Sequence, residues 1–176
     1  PIIFMKNIYV ITGGPGSGKT TLLETLKKEG YGCIEEFSLG LIERRSSGDK
    51  TVPLRDTPEF SSHILDKRIE AYKECPEKEV FFEDSGIPDT IAYFKFYNGD
   101  VPDKCFIAAI SYPYKKAFFL PPWKDIFYKE PRQESFEDAK KIGDIMKNIY
   151  RDFGCDVIEV PKTGPEKRAS FVLENI

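Results

Sequence analysis

The stretch Ile8-Tyr9-Val10-Ile11-Thr12-Gly13-Gly14-Pro15-Gly16-Ser17-Gly18-Lys19-Thr20-Thr21-Leu22-Leu23-Glu24-Thr25-Leu26 carries the fold. A continuous β-prone run, Ile8 to Ile11, passes through a glycine loop into Leu22, Leu23 and Leu26 at helical spacing, and Gly30 stops the helix. Gly13 to Thr20 fit the pattern GxxxxGK[ST] at every fixed position, between a strand and a helix as its mechanism requires. Gly13, Gly14, Gly16 and Gly18 remove Cβ atoms, so backbone N–H groups of a loop that also holds Pro15 and Ser17 can wrap a triphosphate. The helix starting near Lys19 turns its positive end to the same anion. Lys19 is expected on the β and γ phosphates, the Thr20 hydroxyl on Mg²⁺, and Thr21 beside them.

Outward from this unit, a short strand is expected over Gly32 to Glu35 and a helix over Ser38 to Arg45. The polar segment Ser46 to Pro58 reads as a mobile loop. Helical patterns follow over Glu59 to Glu74, from Pro88 to Gly99, over Asp103 to Ser111, Glu134 to Phe153, and Pro165 to Glu174. Between them lie apolar strands at Val80 to Phe82, running into Glu83-Asp84, at Ala117 to Leu120 and at Asp156 to Val160. Five short strands alternating with helices predict an α/β fold with a parallel sheet and helices on both faces. With no repeat or linker, residues 1–176 are expected to form a single domain.

Composition narrows the function. The chain has 176 residues, 40% of them apolar including 14 Phe, enough to fill a core. With 26 Lys+Arg against 29 Asp+Glu, the formal charge of -3 supplies no field to hold nucleic acid or an anionic membrane. The longest stretch without a charge, Asn7 to Gly18, falls short of the roughly 20 residues that cross a bilayer. Pro1 to Phe4 reads as an upstream extension before Met5 and not as a secretory leader. Cys33, Cys75, Cys105 and Cys155 show no CxxC spacing, so reduced thiols and a cytoplasmic location are expected.

The remaining candidates cluster at strand ends. Asp84 ends a buried strand, where a carboxylate holds Mg²⁺ directly or through water, and Glu83 competes with it; strand alternation lets only one of them face the phosphates. Glu36 and Glu35 follow the second strand, and Glu36 is the stronger candidate for a general base; both also suit the start of a helix. Arg132, and less so Lys129, precede the long helix in a loop able to close over a transferring phosphoryl group. Arg44 and Arg45 face either substrate or solvent. His63 lacks a metal-binding or nucleophilic partner, and Trp123 reads as a packing anchor ahead of a substrate wall. No guanine-reading motif is present around Lys162 and Thr163, which favours ATP.

Four segments resemble the NadR-like AAA-type ATPase and kinase domains, within the wider P-loop nucleoside and nucleotide kinases: ITGGPGSGKTTLLETL, FFEDSGIPDTIAYFKFY, FFLPPWKDIFYKEPRQESFEDA and YRDFGCDVIEVP. The resemblance runs from Lys6 to Val172. It implies a P-loop NTPase three-layer sandwich with strand order 2-3-1-4-5, Gly13 to Thr20 as Walker A, Asp84 as Walker B or catalytic acid, Arg132 in a lid, and adenine near Pro161 to Gly164, where Lys162 lies. Ser85 and Leu39 stand where the family usually carries Arg, so the acceptor is left open. The expected function is ATP- and Mg²⁺-dependent phosphoryl transfer to a small nucleoside- or nucleotide-like acceptor, without nucleic acid or membrane. The alternative is a slow NTPase switch acting on a protein partner.

Overall fold

Alternation along the first strand sets up the layers. In a computed structural model, which describes residues 5–54, 57–97, 99–127 and 134–176, β1 (Ile8–Thr12) is buried along its whole length. Ile8 and Val10 point into one hydrophobic cluster, and Tyr9 and Ile11 point into another on the opposite face. A strand covered on both faces is the signature of a parallel sheet between helical layers.

Among the described residues the sheet has five parallel strands in the order β2-β3-β1-β4-β5. The others are β2 (Gly32–Ile34), β3 (Phe81–Asp84), β4 (Ala117–Phe119) and β5 (Val157–Glu159). One face carries α1 (Lys19–Lys28) and α7 (Pro165–Leu173), whose Leu22, Leu26, Ala169 and Val172 meet Phe82 and Phe118. The other carries α3 (Pro58–Glu74), α4 (Ile87–Tyr97), α5 (Asp103–Ser111) and α6 (Phe136–Asp152) around Ile91, Phe94, Ile142 and Met146. Each buried Leu, Ile or Phe contributes roughly 1.5–3 kcal/mol. This is the expected three-layer arrangement, with α2 (Ser38–Ser46) following β2.

The element ends carry local reasons. Gly30 closes α1 with φ of 94°, a conformation open to glycine. Thr57 caps α3 by accepting from the Phe60 N–H, with Pro58 in the first turn. Leu120 still donates to Thr12 O at 2.8 Å, and the ladder then ends because Pro121 has no N–H.

Two expectations need correction. Residues 46–54 are not merely a polar loop: Val52 is buried against Leu41, Phe60 and Ile64, while Asp49 accepts from Arg44 and from Thr51. Arg44 and Arg45 are accordingly spent on this segment, Arg45 donating to Val52 O at 3.1 Å. The long helix starts at Phe136, not Glu134, because Ser135 and Asp138 form a capping box. Glu134 lies before it as a buried acid accepting from the Tyr97 hydroxyl at 2.6 Å. All four cysteines are free thiols.

Candidate functional site: a glycine loop between two cavities

β1 lies at the point where the sheet turns toward β3 on one side and β4 on the other, the crevice in which open α/β sheets bind ligands. The glycine loop leaves β1 there. Gly13, Gly16 and Gly18 have φ of 143°, 74° and 91°, a curl that L side chains resist. Gly14 answers a different need, since a Cβ there would stand 2.0 Å from Ala139 O on α6. Pro15 and Ser17 are buried in the same curl, Ser17 N–H donating to Gly14 O. The Lys19 ammonium, itself buried, folds back to donate to Gly13 O at 2.8 Å and Gly14 O at 3.2 Å.

The adjacent carboxylates of β3 are separated by strand alternation. Asp84 faces α1, where Thr20 Oγ1 donates to its Oδ2 at 3.0 Å and Ser85 Oγ to its Oδ1 at 3.2 Å. Burial pushes the Asp84 acid above the ordinary carboxyl range, opposed by the nearby Lys19 ammonium and the two hydroxyls. Glu83 points to the other face, beside Arg68 and the Tyr114 hydroxyl, and burial pushes it up to about 8. Ser85, just beyond, adopts φ of 67°. Thr20 and Asp84 form a hard oxygen pair of the type that suits Mg²⁺ shared with phosphate oxygens.

Glu36 and Glu35 also part. Glu35 is exposed and pairs with Lys27 at 2.7 Å. Glu36 accepts from the Ser38 and Leu39 N–H groups that open α2, at 2.9 and 3.1 Å, and lines a cavity with Lys19, Thr20, Asp84 and Ser85. That cavity, about 50 Å³, adjoins another of about 60 Å³ through shared Glu36, Ser38, Ile42, Tyr93 and Glu134.

On the opposite side of Lys19 and Thr20 lies a larger cavity of about 390 Å³, walled by Gly16, Gly18, Thr21, Trp123, Thr163, Gly164 and Arg168. Trp123 is therefore a wall of the site, stacked on the Arg168 guanidinium at 5.1 Å. Lys162 is exposed and is not among the lining residues, although Thr163, Gly164 and Pro165 are. Arg132 and Lys129 lie outside the described residues. His63 sits half-buried on α3 and is not among the residues lining these three cavities.

Sequence reasoning missed several polar residues that shape the site. Arg168 is 3% exposed and donates to Ser17 O at 3.0 Å and Pro161 O at 3.1 Å, tying α7 to the loop. Arg68 is 2% exposed and donates to Gly86 O and Thr90 Oγ1, both at 2.7 Å. Their signal was a cation on an apolar stripe: Arg68 follows Ile64 and Leu65 and precedes Tyr72, and Arg168 precedes Ala169 and Val172 at helical spacing. Asp89 accepts from Thr12, from Gly86 N–H and from the Tyr150 hydroxyl, which clamps α4 under the loop.

Comparison with known proteins places this geometry. Residues 8–168 match the model of a family described as an AAA domain. The chain belongs to that family. As an AAA-domain protein it shares its fold with the NadR protein solved in complex with NR, at a TM-score of 0.69 and 15% identity over 98% of this chain. It shares it also with deoxyadenosine kinase from M. mycoides, at a TM-score of 0.68 and 14% identity over 96% of this chain and 97% of that one. A segment of 47 residues, 27% of the chain, is 45% identical to adenylate kinase of Helicobacter pylori strain HPAG1. The AAA-domain chain spans 51% of the NadR chain, and its match covers 25% of that adenylate kinase. The P-loop kinase fold and its 2-3-1-4-5 order, expected from the resemblance, are thus both present.

Proposed function

We propose that this AAA-domain protein is an ATP- and Mg²⁺-dependent phosphotransferase that moves the γ-phosphoryl group to a hydroxyl of a small, nucleoside- or nucleotide-like acceptor. The observation that carries this reading is the pair of cavities meeting at Lys19 and Thr20, with the glycine loop on one side and Glu36 on the other. A nucleotide switch needs only the first cavity. A kinase needs a second that opens onto the γ-phosphate.

In this reading the base of ATP rests against Trp123, Thr163 and Gly164, and the loop N–H groups hold the phosphates. Lys19 exchanges its two loop carbonyls for phosphate oxygens, a stronger charge-assisted pairing. Thr20 and Asp84 would hold Mg²⁺, which neutralises charge on the transferring group. Glu36 retains lone pairs beyond those taken by Ser38 and Leu39 and accepts the acceptor's hydroxyl proton. The acceptor oxygen then forms its bond to the γ-phosphorus, the bond to the bridging oxygen breaks, and ADP leaves. Arg132 supplies a lid cation, and Arg132→Ala lowers the chemical step by about 10³-fold.

The test is ATP turnover with and without added ribosides, deoxynucleosides and mononucleotides, with products read by mass spectrometry. A phosphorylated acceptor, with ATP consumption that rises when it is added, is the expected result. Steady hydrolysis that no small molecule accelerates but a protein partner alters would establish the switch instead.

A further inference from the structure

Ser85, immediately beyond Asp84, alone among the described non-glycine residues has a positive φ, 67°. In that region the Cβ of an L residue crowds the backbone, which costs free energy. The surroundings enforce the turn from several directions. Ser85 N–H donates to Ile11 O on β1 at 3.1 Å, and Gly86 N–H donates to Asp89 Oδ2 at 2.6 Å. Gly86 O accepts from Arg68 at 2.7 Å, and Ile87 N–H donates to the Tyr114 hydroxyl at 3.0 Å. A Cβ at position 86 would meet the Tyr150 hydroxyl at 2.7 Å and the Tyr114 ring at 2.8 Å, so the turn is pressed against both side chains.

Glycine at position 85 would take the same φ without the steric cost. What serine adds is a hydroxyl. The residue is 4% exposed, and its Oγ donates to Asp84 Oδ1 at 3.2 Å. The terminal torsion of an aspartate is soft, so the plane of the Asp84 carboxylate is set by what its oxygens meet. Thr20 Oγ1 donates to Oδ2 at 3.0 Å and Ser85 Oγ to Oδ1, one hydroxyl on each oxygen. A hydroxyl has one proton and two lone pairs, so Thr20 with its proton on Asp84 keeps its lone pairs for a cation. Thr20, Asp84 and Ser85 all line the cavity that Lys19 and Glu36 also border.

Resting on the phosphotransferase reading, in which Thr20 and Asp84 hold Mg²⁺, we infer that Ser85 is a positioning residue for that metal site. Its hydroxyl fixes the plane of the Asp84 carboxylate, and the strained turn is what places the hydroxyl against Oδ1. Ser85 acts through Asp84 and not on the nucleotide. A hydrogen bond that orients a ligating carboxylate commonly controls metal affinity by about tenfold or more.

The experiment compares wild type with Ser85→Gly, which removes strain and hydroxyl together, and with Ser85→Ala, which removes the hydroxyl alone. Melting temperatures are read without ligand, with a non-hydrolysable ATP analogue in excess chelator, and with that analogue across a Mg²⁺ titration. Without ligand, Ser85→Gly should melt within about 4 °C of wild type or above it, because relief of the left-handed conformation offsets the entropy glycine adds to the unfolded chain. In both variants the metal-free shift should match wild type, while the Mg²⁺ concentration giving half of the additional shift rises about tenfold. A merely structural serine does not give this split, since a distorted glycine loop weakens both shifts together. An unchanged Mg²⁺ midpoint, or a metal-free shift lost in parallel with the Mg²⁺ response, overturns the proposal. So does a Ser85→Gly chain that melts further below wild type or does not fold, which makes the hydroxyl a structural contact. A wild-type nucleotide shift indifferent to Mg²⁺ overturns it as well. Ser85→Gly decides the matter even if Ser85→Ala does not fold. None of these readouts requires phosphoryl transfer: a wild type that shows the Mg²⁺ response but phosphorylates no acceptor overturns the phosphotransferase reading, and the variants still decide the role of Ser85.

Discussion

Glu83 and Asp84 are neighbours in sequence with similar side chains, yet β3 sends one into a core and the other to the glycine loop. Asp84→Asn keeps the shape and the contact with Thr20 but loses the negative charge, so nucleotide binding survives without its Mg²⁺-dependent part. Thermal shifts with ATP, with and without Mg²⁺, should coincide in this variant, and turnover should fall by about 10²-fold or more. Lys19→Ala should lose most of the ATP-induced shift in either condition. Glu83 behaves differently. Its folded-state acid is raised to about 8 by burial, so the native state keeps a proton that the unfolded chain gives up near its ordinary value of 4.5. Stability in the wild type is therefore fullest below about pH 4.5 with respect to this group and declines as pH rises toward 8, at up to about 1.4 kcal/mol per pH unit. Glu83→Gln lacks that decline. Its melting temperature relative to wild type should climb between pH 5 and pH 8 and then level off, and parallel curves for the two proteins would show that Glu83 ionises normally.

At the scale of the element, α6 supports the glycine loop, because its first turn presents Ala139 O to the space a Gly14 side chain would occupy. Gly14→Ala forces loop and helix apart. The cost is about 1–3 kcal/mol in denaturant unfolding, and ATP-induced stabilisation weakens as well, since the displaced N–H groups no longer converge. The capping box that starts α6 is a milder element of the same support: Ser135 accepts from Asp138 N–H at 3.1 Å, and Asp138 accepts from Ser135 N–H. Ser135→Ala should cost about 1 kcal/mol and leave nucleotide binding nearly unchanged. If both variants lost nucleotide binding equally, the specific contact at Gly14 would not be the cause.

Across the whole molecule, the walls of the larger cavity come from opposite ends of the chain. Trp123, the one Trp in the sequence, leaves β4, and Arg168 lies on the final helix and reaches back to Ser17 O. A base entering this cavity must contact the indole, so ATP should change Trp123 emission in a saturable way, and Lys19→Ala should abolish the change at the same ATP concentration. Emission that stays constant while calorimetry detects ATP binding would place the base elsewhere.

The strand, glycine loop and helix from Ile8 to Leu26 were legible without coordinates, because hydrophobic periodicity and glycine spacing are local properties written directly in residue order. So were the parallel sheet, the identity of Asp84 as a strand-end acid and the positions of most helices. Tertiary structure alone decided which groups share a space. Glu36 could be read as an acid near a strand end, but only folding sets it beside Lys19 and Asp84. Arg68 and Arg168 were not singled out from the sequence, since what makes them part of the site is the backbone carbonyls they meet at Gly86 and Ser17, 18 and 151 residues away in sequence. Contacts across such separations depend on how the layers pack, and neither propensity nor spacing along the chain encodes them.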